Sequence, residues 1–191
     1  MEQNKKQRLI ELLVEKSFKY SDEPTFKLAS GLLSNYYVDC RKTTHAAEGK
    51  VLIGTIVFDM IRDLDVQAVG GLTMGADPIA CAVSYAAYLQ KKEIASFSIR
   101  KEAKGHGLKK QVEGDVAEGD RVVIVEDVIT TGGSTIKAIQ AARAEGLAVL
   151  KVIALVDREE GGREEVLKHI SAVEAVCTRT ELMQGYNKTN G

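Results

Sequence analysis

The chain has 191 residues, 45% of them hydrophobic and 28% charged, a balance that supports one domain with a sizeable core. Its formal charge of −1 leaves no global field to draw in nucleic acid or an anionic membrane, so any anion site must be a local cluster. Cys40, Cys81 and Cys177 are widely spaced, odd in number and lack a CxxC pair, which argues against a disulfide framework or a zinc site. Met1 to Arg8 lacks the apolar core of a signal peptide, and no apolar run approaches the length of a membrane span. The expectation is a cytoplasmic chain with no membrane or nucleic-acid partner.

Leu9, Ile10, Leu12, Leu13 and Val14 fall among charges at helical spacing, which predicts an amphipathic helix over 5–19. Residues 24–43 hold one of the two prolines, the Ser30-Gly31 pair and Tyr36-Tyr37, and read as short strands and turns. A second helix is expected over 46–63. The chain then alternates: strand 66–71, helix 78–90, strand 94–100, and a polar stretch over 101–119, rich in glycine and charge. Next come strand 121–126, helix 134–145, strand 148–156, a helix near 163–170 and a strand near 173–177. This alternation predicts a single α/β domain, with a mostly parallel central sheet flanked by helices. The first 45 residues stand outside the alternation and are expected to cover one end of the sheet.

The stretch Val122 to Thr135 is the most informative. An apolar strand delivers Glu126 and Asp127 to its C-terminal end, the edge at which open α/β sheets bind ligands. Gly132 and Gly133 then lead into a helix whose N-terminus offers unpaired N–H groups and a partial positive charge, and Thr130, Thr131, Ser134 and Thr135 can add hydroxyl donors. No lysine follows the glycines, so this is not a Walker A loop, and GxGxxG is absent. Acids beside a phosphate site would repel the phosphate, but they can accept hydrogen bonds from a 2′-OH and 3′-OH pair. A ribose 5-phosphate explains both halves. The bland alternative is an ordinary βα turn with a capping hydroxyl and two surface acids.

This stretch resembles the phosphoribosyl pyrophosphate (PRPP) motif of type I phosphoribosyltransferases. The resemblance implies that Glu126 and Asp127 hold the ribose hydroxyls. It places Val128, Ile129, Thr130, Thr131, Gly132, Gly133 and Ser134 at the PRPP, with Thr130 to Thr135 holding its 5-phosphate.

Arg100, Lys101, Lys104 and His106 fall within seven residues, among the glycines Gly105 and Gly107. A solvated charged loop is one reading. A closing loop that neutralises pyrophosphate as it departs is the other. The segment resembles the flexible catalytic loop of the orotate phosphoribosyltransferase family, Arg-Lys-x-x-Lys-x-His-Gly. That resemblance implies a mobile loop over 101–115 that binds PRPP, a homodimer in which each loop serves the neighbouring subunit's site, and a hood built from about 1–45 and the C-terminal end over a core of about 46–178.

Phe26 to Arg41 resembles the family's N-terminal pattern L-x-SG-x-x-S-x-Y-x-x-D-x-R, and Asp157 to Gly162 its Asp-Arg-x-x-x-Gly. The resemblance implies that Arg158 grips the orotate carboxylate, that Thr130 lies near the base and that Tyr37 and Val38 flank the ring. An arginine matches a carboxylate in a planar, two-pronged way that adenine or guanine would not use. Read alone, Arg158 would pair with Glu159 or Glu160 on the surface. The chain also departs from the pattern. Ala29 stands where some members have lysine before Ser-Gly, Gly70 to Pro78 lacks a Tyr-Lys pair and carries Met74, and Val38 replaces an aromatic residue.

The expected reaction is displacement at the anomeric carbon of PRPP by a ring nitrogen of orotate, giving orotidine 5′-monophosphate and pyrophosphate for UMP biosynthesis. The resemblance implies Mg2+, bound mainly through substrate and water with no direct protein ligand, and with Glu126 and Asp127 nearby. The catalytic candidates are Lys104 and His106 at the leaving group, with Asp127 at the metal or the cationic ribose. A phosphoribosyltransferase for another base and a PRPP-sensing regulator are the rival readings.

Overall fold

The structure is a computed structural model that describes residues 2–27, 33–102 and 111–190. The N-terminal elements are α1 (Glu2–Lys16), β1 (Phe18–Tyr20), β2 (Phe26–Lys27), β3 (Leu33–Ser34), β4 (Tyr36–Val38), α2 (Arg41–Thr44) and α3 (Ala47–Ile61). The alternating region follows: β5 (Ala68–Leu72), α4 (Asp77–Leu89), β6 (Ala95–Ile99), β7 (Val112–Gly114), β8 (Arg121–Ile129), α5 (Gly133–Ala144) and β9 (Ala148–Asp157). The chain ends with α6 (Gly162–Leu167), β10 (Val173–Thr178) and α7 (Arg179–Asn190).

Six strands form one sheet in the order β10-β9-β8-β5-β6-β7. Its neighbours are parallel except β6 and β7, which run antiparallel. Two small ladders, β1 with β4 and β2 with β3, lie outside it. The expected α/β architecture, a mostly parallel sheet between helices, is therefore present. β8 is apolar on both faces because both faces are covered. Val123 and Val125 join Ile153, Leu155, Leu13, Phe58 and Val83 in one core cluster. Their strand neighbours Val122 and Ile124 point the other way, into a second cluster with Val152, Ile139 and Val166.

Three expectations need correction, and one element has no counterpart among them. The helix expected over 5–19 stops at Lys16. Phe18–Tyr20 instead pairs with β4, in the register Phe18↔Val38 to Tyr20↔Tyr36, and the rings of Phe18 and Tyr20 pack within 6 Å of Tyr186, at 5.9 Å and 5.7 Å. Cross-strand and aromatic packing outweigh helix propensity there. The strand expected over 121–126 runs on to Ile129, because β9 continues to Asp157 and offers partners up to Ile129↔Asp157. The acidic pair is therefore inside the strand rather than at its end. Within the loop expected over 101–115, Val112–Gly114 is an edge strand on β6, held by main-chain pairing that leaves no apolar period in the sequence. Finally, α7 was not anticipated. It buries Leu182 and Gly185, and Gly185 lies against Ile10 and Val14 of α1. Among the described residues no helix is long and apolar enough to cross a membrane.

Candidate active site

From β5 the chain moves through α4 to β6 on one side of the sheet, and from β8 through α5 to β9 on the other. The loops after β5 and β8 diverge, which is the switch point where open sheets bind ligands. A cleft of about 590 Å3 opens there. Tyr37, Val38, Thr73, Met74, Gly75, Lys101, Glu126, Asp127, Val128, Thr130, Ser134 and Arg158 all line it. Residues from separate parts of the chain thus converge as the sequence motifs required.

The loop after β8 leaves a run of backbone donors free. Gly132 precedes α5 with φ of 82°, and no side chain caps the helix. The amides of Thr131, Gly132, Gly133 and Ser134 donate to no protein acceptor among the described residues. Four successive free donors at a helix N-terminus form an anion nest. Two more free donors lie in the loop after β5, which lines the same cleft. The amides of Thr73 and Ala76 are taken by the carbonyls of Ile99 and Leu72, whereas those of Met74 and Gly75 have no protein acceptor among the described residues. Small residues in this loop therefore leave backbone donors where the sequence had suggested missing cations. Two residues of the phosphate stretch turn inward instead. Ile129 is buried in the second core cluster and its carbonyl accepts from Arg158 N at 3.0 Å. Thr135 is buried, and its hydroxyl donates to Glu126 Oε2 at 3.3 Å rather than facing a ligand.

The two acids differ. Asp127 is half-buried beside Gly75, and its Oδ1 accepts from Val128 N at 2.9 Å. Glu126 is only 5% exposed. Burial, joined by the charge of Asp127, pushes its carboxyl up to about 8. A carboxyl raised in this way keeps its proton in the folded chain after the unfolded chain has released it. Its contribution to stability is full below about pH 4.5 and is lost as pH rises through about 8. The ligand-free protein is expected to lose on the order of 2 kcal/mol between pH 6 and 8.5, a fall in Tm of about 5 °C. Glu126→Gln should flatten that part of the melting profile, and an unchanged slope would remove Glu126 as its source.

Arg158 follows β9 and is not on the surface: only 7% of it is exposed. Its Cζ lies 4.8 Å from the Tyr36 ring centroid, and its Nε donates to Tyr36 Oη at 3.4 Å. Nη2 lies 2.9 Å from Glu160 Oε1 yet outside hydrogen-bonding geometry, so this buried nitrogen has no hydrogen-bond partner. Tyr37 is partly exposed at the rim and stacks on Phe26 at 6.2 Å. Arg100 pairs with Glu113 across the β6–β7 hairpin at 3.0 Å and is not among the cleft residues, whereas Lys101 is. Ala29, Lys104 and His106 lie outside the described residues.

Asp39, Cys40 and Arg41 also line the cleft, with no role assigned to them from sequence alone. Arg41 grips Asp39 through Nε at 2.8 Å and Nη2 at 3.2 Å and holds its carboxyl below the usual range. The Asp-x-Arg of the N-terminal pattern was the available signal. No group of three or more His, Cys, Asp or Glu among the described residues is arranged to hold a metal.

The sequence family described as Phosphoribosyl transferase domain matches residues 48–179. The orotate phosphoribosyltransferase of Aquifex aeolicus is 45% identical over 178 residues, covering 93% of this chain and 97% of that protein. The orotate phosphoribosyltransferase of Mycobacterium tuberculosis in complex with PRPP superposes with a TM-score of 0.75 at 30% identity, covering 94% of this chain and 92% of that one. The enzyme of the same name from Aeropyrum pernix superposes with a TM-score of 0.77 at 30% identity, covering 94% and 98%. With the anion nest, the acidic pair and a buried arginine converging on one cleft, the chain belongs to the orotate phosphoribosyltransferases of the phosphoribosyltransferase family.

Proposed function

We propose that this enzyme transfers the 5-phosphoribosyl group of PRPP to orotate, releasing pyrophosphate and forming orotidine 5′-monophosphate for UMP synthesis. The observation that carries this reading is a buried arginine, one guanidinium nitrogen of which makes no hydrogen bond, lining the same cleft as the acidic pair and the free amides that precede α5. The amides of 131–134 and the Ser134 hydroxyl receive the 5-phosphate, and Thr130 stands between phosphate and base. Asp127 accepts from the ribose hydroxyls. Arg158 takes the carboxylate of the base, with Tyr37 and Val38 along the ring. The bond from the anomeric carbon to pyrophosphate breaks as a ring nitrogen of orotate bonds to that carbon. Positive charge builds on the ribose meanwhile. Catalysis is positioning and electrostatics, without a protein nucleophile. Lys101, Lys104 and His106 neutralise the leaving group, and Arg100 anchors their loop to the hairpin.

The half-buried Asp127 in a cleft with room for a polyanion fits Mg2+, which takes oxygen ligands and keeps several waters. Asp127 would hold it through water, with the shielded Glu126 behind, and the ion would offset charge on the pyrophosphate. The test of the reaction is formation of orotidine 5′-monophosphate by purified protein with orotate, PRPP and Mg2+. Release of pyrophosphate with adenine, guanine or uracil but not with orotate would refute it.

Gly132→Ala probes the nest. A β-carbon there would lie 2.7 Å from the carbonyl oxygen of Gly162 on a backbone with φ of 82°. The substitution should cost about 2 kcal/mol of stability and raise the KM for PRPP roughly tenfold. A PRPP KM equal to the parent's would detach the loop from the phosphate.

The enzyme is also proposed to be a cytoplasmic homodimer, with about 1–45 and α7 forming a hood; packing of α7 on α1 supports the latter. Support for the dimer comes from an apolar groove of about 670 Å3 between α3 and α4, where Val51, Tyr85 and Leu89 are exposed. Met74 lines both this groove and the cleft, so a second copy seated there would adjoin the site. Mixing inactive Lys104→Ala and Asp127→Asn chains should restore about a quarter of the parent activity if each loop serves the other subunit. No recovery would mean that each loop serves its own site.

A further inference from the structure

We propose that Tyr36 and Glu160 are positioning residues that hold the Arg158 guanidinium in the orientation that receives the carboxylate of the base. This inference rests on the reading of Arg158 given above. An arginine side chain has about 2 kcal/mol of rotamer freedom, so one that discriminates by a two-pronged contact must be locked before substrate arrives.

The lock is a closed set of three groups. Arg158 lies over the Tyr36 ring at 4.8 Å and its Nε donates to the Tyr36 hydroxyl at 3.4 Å. That hydroxyl donates to Glu160 Oε1, and the same oxygen lies 2.9 Å from Arg158 Nη2. Burial, and then the bond to Glu160, raise the Tyr36 phenol above its ordinary value and keep the proton in place for donation. Glu160 also offsets the guanidinium charge while the cleft is empty, which a buried lone cation would need.

The direction of the grip follows from the cleft. Arg158 lines it, whereas Tyr36 and Glu160 do not. Both therefore hold the guanidinium from behind and leave its cleft side for a ligand. Both are themselves fixed. Tyr36 is paired in β4 and lies 5.5 Å from the Arg179 guanidinium carbon. The neighbour of Glu160, Glu159, accepts from Thr180 N at 2.9 Å and Thr180 Oγ1 at 2.6 Å, which ties the loop to the start of α7. The hood strand and the C-terminal helix thereby reach the base site without touching the base.

Tyr36→Phe keeps the ring and removes only the hydroxyl, and Glu160→Gln keeps the shape and removes the charge. Each is expected to lower kcat/KM for orotate about tenfold through KM, because the guanidinium is then held less firmly. The kcat, the KM for PRPP and the Tm should stay near the parent's. In an Arg158→Ala background, Tyr36→Phe should change kcat/KM for orotate no further, because the hydroxyl acts only through the guanidinium. Equal effects of Tyr36→Phe with and without Arg158, or unchanged orotate KM in both single variants, would overturn the proposal. A lower orotate KM in Glu160→Gln would make Glu160 a competitor of the substrate and overturn its positioning role. If Arg158→Ala alone leaves orotate KM unchanged, the carboxylate reading itself fails and takes this inference with it.

Discussion

Replacing Arg158 with alanine is expected to raise the KM for orotate about 100-fold, the equivalent of ~2.7 kcal/mol, with the KM for PRPP little changed. The size of the effect comes from burial. Arg158 is 7% exposed, so water cannot take over its contact with a carboxylate. The variant also leaves Glu160 without the cation that offsets its charge, which repels the carboxylate further. Steady-state kinetics with each substrate varied in turn read the effect, and Tm reports whether the fold survives. An orotate KM within about twofold of the parent's would contradict the carboxylate role, since truncating a buried charged contact costs at least ~2 kcal/mol.

Lys104→Ala should lower kcat by about 10²–10³-fold and leave the orotate KM nearly unchanged, as expected when a charge aimed at the transition state is removed. Lys104 lies outside the described residues, but the chain enters that segment through Lys101, which lines the cleft, and leaves it at Gln111. Gln111 is anchored by its carbonyl to Arg100 N at 2.9 Å and by Nε2 to Arg100 O at 2.8 Å. Both ends of the segment are thus pinned beside the cleft. Single-turnover measurement of pyrophosphate release separates chemistry from product release, and a kcat equal to the parent's would remove the loop from the mechanism.

Much of this was legible in the sequence because the responsible physics is local. The run Val122 to Val125 announces a strand buried on both faces, since only such a strand tolerates unbroken apolar residues. Gly132 and Gly133 after Glu126-Asp127 announce a tight turn with free backbone donors, since the positive φ at Gly132 needs glycine's freedom. α7 was missed because its polar residues hide a narrow apolar stripe that only α1 makes meaningful. The edge strand Val112–Gly114 exists through main-chain pairing with β6, which leaves no side-chain period to read.

By itself, then, the sequence determined the α/β alternation, the glycine turn ahead of α5 and the convergence of an acidic motif with an arginine motif on one cleft. Local propensity, periodicity and residue chemistry act over a few positions and need no partner. Only the tertiary structure decided how those residues divide their work. It separated a half-buried Asp127 from a Glu126 whose carboxyl is shielded and raised to about 8. It buried Thr135 and Ile129 away from the cleft and set Tyr36 and Glu160 behind Arg158. Burial and long-range contact set dielectric and orientation, and these depend on neighbours more than a hundred residues away in the chain, as Tyr36 is from Arg158 with a separation of 122.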